Sequence, residues 1–334
     1  MMMLRWLYSR VCWRFALGVA LTAAGVPAAL AQLWQPEKTV EIPVGTGAGG
    51  PQDRMGRLMQ RVMQENRLVH VPVNVMNKPG GGGVVVYDYV RQRANDPHYL
   101  MLHALALFTN HITGKSAISH ADFTPIAIMG SEYIAVTVRA DSPIRTGNDL
   151  VERLKKDPTA LSIVIGTGSG NATHISFAHA MKASGVDIRR LKTVVFNSPS
   201  EGVSALLGGH VDVTAGGLSN VLQHAQAGTL RIVAVGAPRR LAGKLANVPT
   251  WKELGINSAF ELWRGVAAPK GISRAHIQYW DDVMAKLAKS EQWRSDLENN
   301  HIDNVYKDSA ETGRYWTTEY ESARAVLVEL GMAK

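Results

Sequence analysis

Residues 44–59 read V-G-T-G-A-G-G-P-Q-D-R-M-G-R-L-M, a loop with four glycines in six positions that joins a predicted strand to a predicted helix. Glycine lets the backbone approach a ligand closely and adopt positive φ. Asp53 is predicted to cap the helix, because apolar residues follow it at helical spacing, at Met55, Leu58, Met59, Val62 and Met63. The unpaired amides of the first turn would then point into the loop, which is the geometry of an anion site.

Two other interpretations of this loop stay open. Gly45, Gly47 and Gly50 match the pattern Gly-x-Gly-x-x-Gly of dinucleotide-binding folds. Those folds place an acidic residue about 20 positions later, at the end of the second strand, to bind the ribose. Asn74 and Asn77 stand in that region instead. The loop could also be a tight turn that binds nothing.

The amino terminus has the pattern of a secretory signal peptide. Arg5, Arg10 and Arg14 precede an apolar run over residues 15–26, and Ala29-Leu30-Ala31 follows. We therefore expect residues 1–31 to be removed near Ala31-Gln32, which places the mature protein in the periplasm. A membrane anchor is the alternative, but it needs about 20 apolar residues. The single cysteine, Cys12, lies in this segment, so the mature chain is expected to contain no disulfide and no cysteine-based site.

Composition narrows the class of protein. Apolar residues make up 46% of the chain and charged residues 19%, which is typical of a soluble globular protein. The net charge of +8 is spread over scattered pairs such as Lys155-Lys156 and Arg239-Arg240. A nucleic-acid surface would need a clustered basic stripe with stacking aromatic residues. No nucleic-acid partner is therefore expected.

Strand and helix patterns alternate along the chain, which predicts an α/β fold. The first such unit contains strands at 39–44, 68–76 and 99–105, and two apolar segments follow at 123–138, separated by Gly130-Ser131-Glu132. A second unit repeats the plan, with Gly166-Thr167-Gly168-Ser169-Gly170-Asn171 between a strand at 161–165 and a helix at 172–183, and a later strand at 210–215. Two helices, at 274–289 and 310–330, are predicted to finish the chain. We expect lobe 1 at 32–133 and 260–334, and lobe 2 at 134–259, with a cleft between them.

Catalytic motifs are missing from the sequence. There is no Gly-x-Ser-x-Gly, no His-Glu-x-x-His, and Thr109 stands where a phosphate loop ending in Gly114-Lys115-Ser116 needs its first glycine. His174 and His179 are five positions apart, off a single helical face. We therefore predict no catalytic residue, no metal site and no cofactor, with a periplasmic α/β enzyme or a dinucleotide-binding protein as the alternatives.

Several motifs together resemble those of the periplasmic solute-binding proteins of tripartite tricarboxylate transporters, also called Bug receptors. The resemblance covers nearly the whole mature chain, and its motifs occur in the family's order: Gly49-Gly50-Pro51-Gln52-Asp53 with Arg57, Asn77-Lys78-Pro79-Gly80-Gly81-Gly82, Gly168-Ser169-Gly170-Asn171 with His174, Leu206-Leu207-Gly208-Gly209-His210-Val211-Asp212, Gly228-Thr229-Leu230-Arg231, Val248-Pro249-Thr250 with Glu253 and Gly255, and Trp263-x-Gly265 with Ala268-Pro269.

This resemblance implies a two-lobed, type II-like periplasmic binding protein, each lobe a mainly parallel sheet flanked by helices. It implies a monomer that holds a small organic acid in the cleft and delivers it to integral-membrane permease subunits. The ligand would be bound by residues of both glycine loops and their surroundings: Thr46, Gly47, Ala48, Gly49, Gly50, Gln52, Asp53, Thr167, Gly168, Ser169, Gly170, Asn171, His174, Asn197 and Asp212.

The sequence departs from the family pattern at the cleft. Thr46 stands where many members have an aromatic residue, Gly166 replaces a common serine, and Phe196-Asn197-Ser198 replaces a usual Tyr-Lys-Gly. The ligand's identity therefore stays open among dicarboxylates, tricarboxylates, aromatic acids and amino acids.

Overall fold

The computed structural model describes residues 34–166, 168–196 and 199–334. The predicted leader at 1–31, together with Thr167 and Asn197, lies outside these ranges. The described residues form a sheet of nine strands: β1 (Val40–Val44), β2 (Val73–Asn77), β3 (Met101–His103), β4 (Phe123–Arg139), β5 (Ser162–Val164), β6 (Lys192–Val194), β7 (Val213–Gly217), β8 (Leu230–Val235) and β9 (Glu261–Pro269).

Helices cover this sheet: α1 (Pro51–Glu65), α2 (Val84–Arg91), α3 (Ala106–Ile112), α4 (Gly147–Lys156), α5 (Ala172–Ala183), α6 (Pro199–Leu207), α7 (Leu218–Gln226), α8 (Arg274–Lys289), α9 (Glu291–Asn299) and α10 (Ser309–Glu329). Across the described part of the chain, no helix is both long enough and apolar enough to cross a membrane.

The strand order is β2-β1-β3-β9-β4-β7-β5-β6, and β8 also pairs with β4. The long strand β4 divides this sheet into two half-sheets. Its residues 123–133 pair with β9, and its residues 134–139 pair with β7 and β8. β1 lies parallel to β2 and β3 in the first half-sheet, and β5 lies parallel to β6 and β7 in the second. The predicted α/β architecture, a sheet flanked by helices, is confirmed, but the sheet is mixed rather than mainly parallel, because the described pairings of β4 and β9 are all antiparallel.

The apolar stripe of α1 is buried, as its helical spacing predicts. Met59, Val62 and Met63 are fully buried against strands β1 and β2 and against helices α8 and α9. Gly56 lies on the same face, where an added Cβ would come within 3.3 Å of Val44, Val75 and Leu102. This packing fixes α1 on the half-sheet, so that its N-terminus faces the end of β1.

The prediction that Asp53 caps α1 is wrong. The helix begins at Pro51, with Gly50 in extended conformation at the capping position. Proline is favoured at the first helical position because its φ is already helical and no N–H is needed there. Asp53 therefore lies inside the first turn, and its carboxylate accepts a hydrogen bond from Gly49 N at 2.8 Å.

Strand β4 runs through Gly130-Ser131-Glu132, where the sequence predicted a break. Two neighbours bond the backbone of this polar segment: β9 pairs with it on one side, and Ser131 exchanges both backbone hydrogen bonds with Asp303 on the other. The predicted strand at 68–76 begins only at Val73, and the strand predicted at 210–215 is β7, which begins at Val213. Register and partners of strands depend on tertiary pairing, which local pattern does not contain.

Two helices were not predicted from the sequence. α3 follows β3 so closely that its apolar residues continue the strand pattern. α9 buries only Trp293 and Leu297, one pair at i and i+4, so its hydrophobic periodicity is weak. Three helices rather than two therefore finish the chain.

The last helix, α10, contacts both half-sheets. Near its middle, Glu319 accepts a hydrogen bond from the indole N–H of Trp263 on β9 at 3.0 Å. At its end, Glu329 pairs with Lys182 of α5 and accepts a hydrogen bond through its backbone carbonyl from Arg189 at 2.8 Å. α10 therefore connects β9 with the helix that follows the second glycine loop.

We predict that Trp293 anchors the C-terminal helices. It is fully buried, and its indole N–H donates to Asn304 Oδ1 at 3.1 Å. Trp293→Ala should lower the free energy of unfolding by about 3–5 kcal/mol, measured by urea denaturation, because it leaves a large cavity. Ser295→Ala, on the exposed face of the same helix, should change it by less than about 0.5 kcal/mol. Equal effects of the two substitutions would contradict this role.

Candidate functional site

A cleft of about 450 Å³ lies where the strands of both half-sheets end. Thr46 follows β1, Ala104 follows β3, Gly166 follows β5, and Gly217 ends β7; all four line the cleft. The carboxyl ends of parallel strands are where α/β folds bind ligands. The N-termini of α1, α5, α6 and α7 open onto the same cleft, through Gln52, Ala172, Ser200 and Ser219 among others.

The first glycine loop is held in shape by Asp53. This carboxylate is only 2% exposed and accepts hydrogen bonds from Gly49 N at 2.8 Å, Asn77 Nδ2 at 2.8 Å and Arg57 Nε at 3.1 Å. Burial alone would raise the pKa of Asp53, but these bonds outweigh it and hold the pKa below its usual value. Asn77 also donates to the carbonyl of Thr46 at 2.9 Å. Asp53 therefore holds the loop in position, and both of its carboxylate oxygens already accept hydrogen bonds from the protein.

Gln52 presents hydrogen-bond donors to the cleft. Its Oε1 accepts a hydrogen bond from Gly45 N at 3.0 Å, which fixes the side chain. Neither its Nε2 nor its backbone N–H has a partner among the residues that the structure describes. Thr46 and Gly49 also line the cleft, whereas Gly47 and Ala48 are exposed beside it, and Gly50 N donates to Gly47 O at 3.0 Å.

The first turn of α5, like that of α1, presents backbone N–H groups without a partner in the described chain. Asn171 caps the helix by accepting a hydrogen bond from His174 N at 2.9 Å. The backbone N–H groups of Ala172 and Thr173 have no acceptor within ranges 34–166, 168–196 and 199–334. Asn171, Ala172 and Thr173 all line the cleft. Unpaired amides from two helices therefore face one space, as expected from the two glycine loops.

His174 supports the second loop from behind. It is 5% exposed, and its Nδ1 accepts a hydrogen bond from Gly170 N at 2.9 Å. Burial lowers the pKa of His174 to about 4, so the ring is neutral near pH 7. A neutral ring with Nδ1 as acceptor holds the loop and leaves the helix amides free.

Gly168, Ser169 and Gly170 of the second loop lie outside the cleft lining. Ser169 O accepts a hydrogen bond from Lys115 Nζ at 3.2 Å, and a Cβ on Gly170 would come within 3.3 Å of Leu327 of α10. Gly168 is half-buried, with open space where a Cβ would stand. This part of the loop therefore faces α10 and the end of α3.

Asp212 does not join the cleft. It is exposed at the start of β7, the end of the strand away from Gly217, and its Oδ2 accepts from Ser162 N at 2.8 Å and Ser162 Oγ at 2.6 Å. Its hydrogen bonds therefore join β7 to β5 at the end of these strands that lies away from the cleft. Thr167 and Asn197 lie outside the described residues.

Sequence reasoning missed the charged groups of the cleft. Glu132 and Arg264 are 7% and 9% exposed, and Arg54 of α1 lines the same space. Glu132 Oε1 accepts hydrogen bonds from Ser219 N at 2.9 Å and Ser219 Oγ at 2.6 Å, at the N-terminus of α7. The available signal was a charged residue inside each of two apolar strands, because a buried charge needs a partner or a function.

The electrostatics of the cleft favour an anion. Helix N-termini carry partial positive charge, and Arg54 and Arg264 add two full charges against the carboxylate of Glu132. Within the described ranges, no group of three or more His, Cys, Asp or Glu side chains could hold a metal ion.

The sequence and fold match known solute-binding receptors. The profile of the tripartite tricarboxylate transporter family receptor, TctC, matches residues 57–332. The UPF0065 protein in the gbd 5' region of Cupriavidus necator is 27% identical over 327 residues, covering 96% of this chain and 97% of that protein. A TctC solute-binding protein from Polaromonas, solved without ligand, is 25% identical with a TM-score of 0.75, covering 88% and 99% of the two chains. Rpa4515 from R. palustris, solved with adipate, is 20% identical with a TM-score of 0.76, covering 89% and 99%. These similarities confirm the expected two-lobed periplasmic-binding-protein fold.

The burial of His174 predicts a loss of stability in acid. A histidine whose folded pKa lies near 4 and whose unfolded pKa lies near 6.5 binds its proton in the unfolded state first. Stability is therefore complete above about pH 6.5 and declines as the pH falls toward 4. Between pH 7 and pH 5 this one residue should cost about 2 kcal/mol.

The variant His174→Asn isolates this effect, because Asn Oδ1 can accept from Gly170 N without titrating. Urea unfolding at pH 7 and pH 5 should show the wild type losing about 2 kcal/mol more than the variant. His103, whose pKa burial lowers to about 3, is present in both proteins and cancels. Parallel losses in the two proteins would contradict a buried neutral His174.

Proposed function

Because this chain belongs to the tripartite tricarboxylate transporter family of receptors, we propose that it captures a small carboxylate-bearing organic anion in its cleft and delivers it to membrane permease subunits. The chain is a solute-binding receptor rather than an enzyme, as its family and its structural neighbours are. The family is periplasmic, and we propose that a signal peptide is cleaved near Ala31-Gln32 and that the mature receptor is a monomer. Family membership also leaves the dinucleotide alternative without support.

The observation that carries this proposal is the pair of helix N-termini at one cleft. Gln52 on α1 and both Ala172 and Thr173 on α5 present N–H groups without a partner in the described chain. A hydrogen bond to a charged group contributes about 1.5–3 kcal/mol. In this proposal the two oxygens of one carboxylate accept from the two helices, whose first turns line the same cleft.

The proposed binding set is divided by role. Thr46, Gly49, Gln52 and Asn171, with Ala172 and Thr173, would contact the ligand, since they line the cleft. The other glycine-loop residues, with Asp53 and His174, would hold the two loops in shape: Gly47, Ala48, Gly50, Gly168, Ser169 and Gly170. The structure with adipate supports a carboxylate ligand, because that protein has the same fold.

We further propose that the two halves of the cleft belong to two lobes that close on the ligand. The lobe boundary at 133/134 is supported by β4, which pairs with β9 up to residue 133 and with β7 and β8 from residue 134 onward. The boundary at 259/260 is supported by β9, which begins at Glu261 and pairs with β3 and with the first part of β4. The short connections through β4 and β9 are where hinge bending would be concentrated.

Ala172→Asp tests the function directly. An aspartate at the first helical position favours the helix dipole, so the melting temperature without ligand should stay the same or rise. The same carboxylate in the cleft should repel an anionic ligand and weaken binding of the best acid from an organic-acid panel at least about 100-fold, since losing two charge-assisted hydrogen bonds alone costs about that much. Isothermal titration calorimetry and thermal melting give the two readouts.

The matched control is Ala172→Asn, which has nearly the same size and no charge. Its affinity should fall by less than about tenfold, because only steric adjustment is required. If Ala172→Asp folds normally and binds the acid as tightly as the wild type does, the anion site at α5 is refuted.

A further inference from the structure

We propose that Arg54 and Arg264 form a second anion subsite, so that this receptor selects acids with a second carboxylate over monocarboxylates. This inference rests on the proposed function and deepens it, because it names the ligand class. The first carboxylate would meet the amides of α1 and α5, and the second would meet the two guanidinium groups.

Arg264 is a buried cation whose N–H groups are only partly bonded within the described chain. Its Nη1 donates to the carbonyls of Leu262 at 3.0 Å and Trp263 at 3.3 Å. Its Nη2 lies 3.7 Å from Glu132 Oε2, beyond hydrogen-bond distance, and its Nε has no acceptor among the described residues. A guanidinium has five N–H groups, and a charge this deeply buried is costly unless those groups are bonded. The remaining N–H groups are therefore available to an anionic ligand.

Glu132 does not accept hydrogen bonds from all of the remaining N–H groups of Arg264. Its Oε1 is occupied by Ser219 N and Ser219 Oγ at the start of α7. Only Oε2 is directed at Arg264, and it lies 3.7 Å from Arg264 Nη2. Arg54 and Arg264 carry two positive charges and Glu132 carries one negative charge. The net charge of these three groups is therefore one positive charge, which a second carboxylate on the ligand would balance.

Arg54, on α1, lines the same cleft as Arg264. Arg54, Arg57 and Arg61 follow one another along one face of α1 at helical spacing. Arg57 pairs with Asp53 at 3.0 Å, and Arg61 pairs with Asp296 at 3.4 Å. In the described chain, the side chain of Arg54 has neither an ion pair nor a hydrogen bond, although it is exposed to the cleft.

The two arginines lie where the cleft opens into a second space. A groove of about 300 Å³ between α1 and α9 shares Arg54, Arg264 and Glu132 with the cleft. A ligand that extends from the helix amides toward this groove would pass the residues that line both spaces, Arg54 and Arg264 among them. The junction therefore suits the far end of an extended acid.

The test compares ligands that differ only at the far end. Succinate, glutarate and adipate are each titrated beside the monocarboxylate of equal carbon number (butyrate, valerate and hexanoate) and beside the ω-amino acid (β-alanine, γ-aminobutyrate and δ-aminovalerate). We expect the best dicarboxylate to bind the wild type about 10- to 100-fold more tightly than its monocarboxylate, because it makes one additional charge-assisted hydrogen bond. The ω-amino acid should bind most weakly.

Arg54→Gln and Arg264→Gln should each lower this preference at least about fivefold, because affinity for the dicarboxylate should fall by more than affinity for the monocarboxylate. Arg294→Gln is the control, since it removes the same charge from an exposed arginine of α9 that lines neither the cleft nor the groove, and it should retain the preference. Arg54 is exposed, so its variant tests the subsite even if Arg264→Gln fails to fold.

The outcomes separate this inference from the proposed function. If monocarboxylates or ω-amino acids bind as tightly as dicarboxylates, or if Arg54→Gln keeps the full preference, the second subsite is overturned and the carboxylate receptor stands. If no acid binds at all, the proposed function fails and the subsite fails with it.

Discussion

The antiparallel pairing of β4 with β9 is the interaction on which the rest of this structure depends. These two strands join the half-sheets, and their register places Glu132 opposite Leu262, next to Arg264. The pairing therefore buries two opposite charges beside the start of α7. It also leaves the carboxyl ends of the parallel strands on both sides facing one cleft.

The protein satisfies its own polar groups in a way that leaves particular donors free. Asp53 accepts bonds from the first loop, and His174 accepts from the second, so the loops hold their shape without a ligand. Glu132 occupies the amide of Ser219 at α7. The N–H groups at Gln52, Ala172 and Thr173, which have no partner in the described chain, are consequently concentrated where an anion would bind.

The parts of the fold that the sequence revealed are those set by local rules. Apolar spacing and glycine loops located α1 and α5, and the bounds predicted for α5 agree with the structure because Asn171 caps it. Asp53 was misplaced because the preference of Pro51 for the first helical position outweighed an ordinary capping residue. Glu132 and Arg264 could not be paired in advance, since they lie on strands whose partnership is tertiary. α9 was missed because its one buried face is only two residues wide.

The central claim is that amides from two helices bind one anion, and an amide-resolved titration tests it most directly. Protein labelled with ¹⁵N would be titrated with the best-binding acid of the panel while backbone amide shifts are followed. A shared site predicts that the amides of Gln52, Ala172 and Thr173 move downfield together, with one dissociation constant, because each acquires a charged acceptor. Shifts confined to one of the two helices, in a protein that binds the acid, would contradict it.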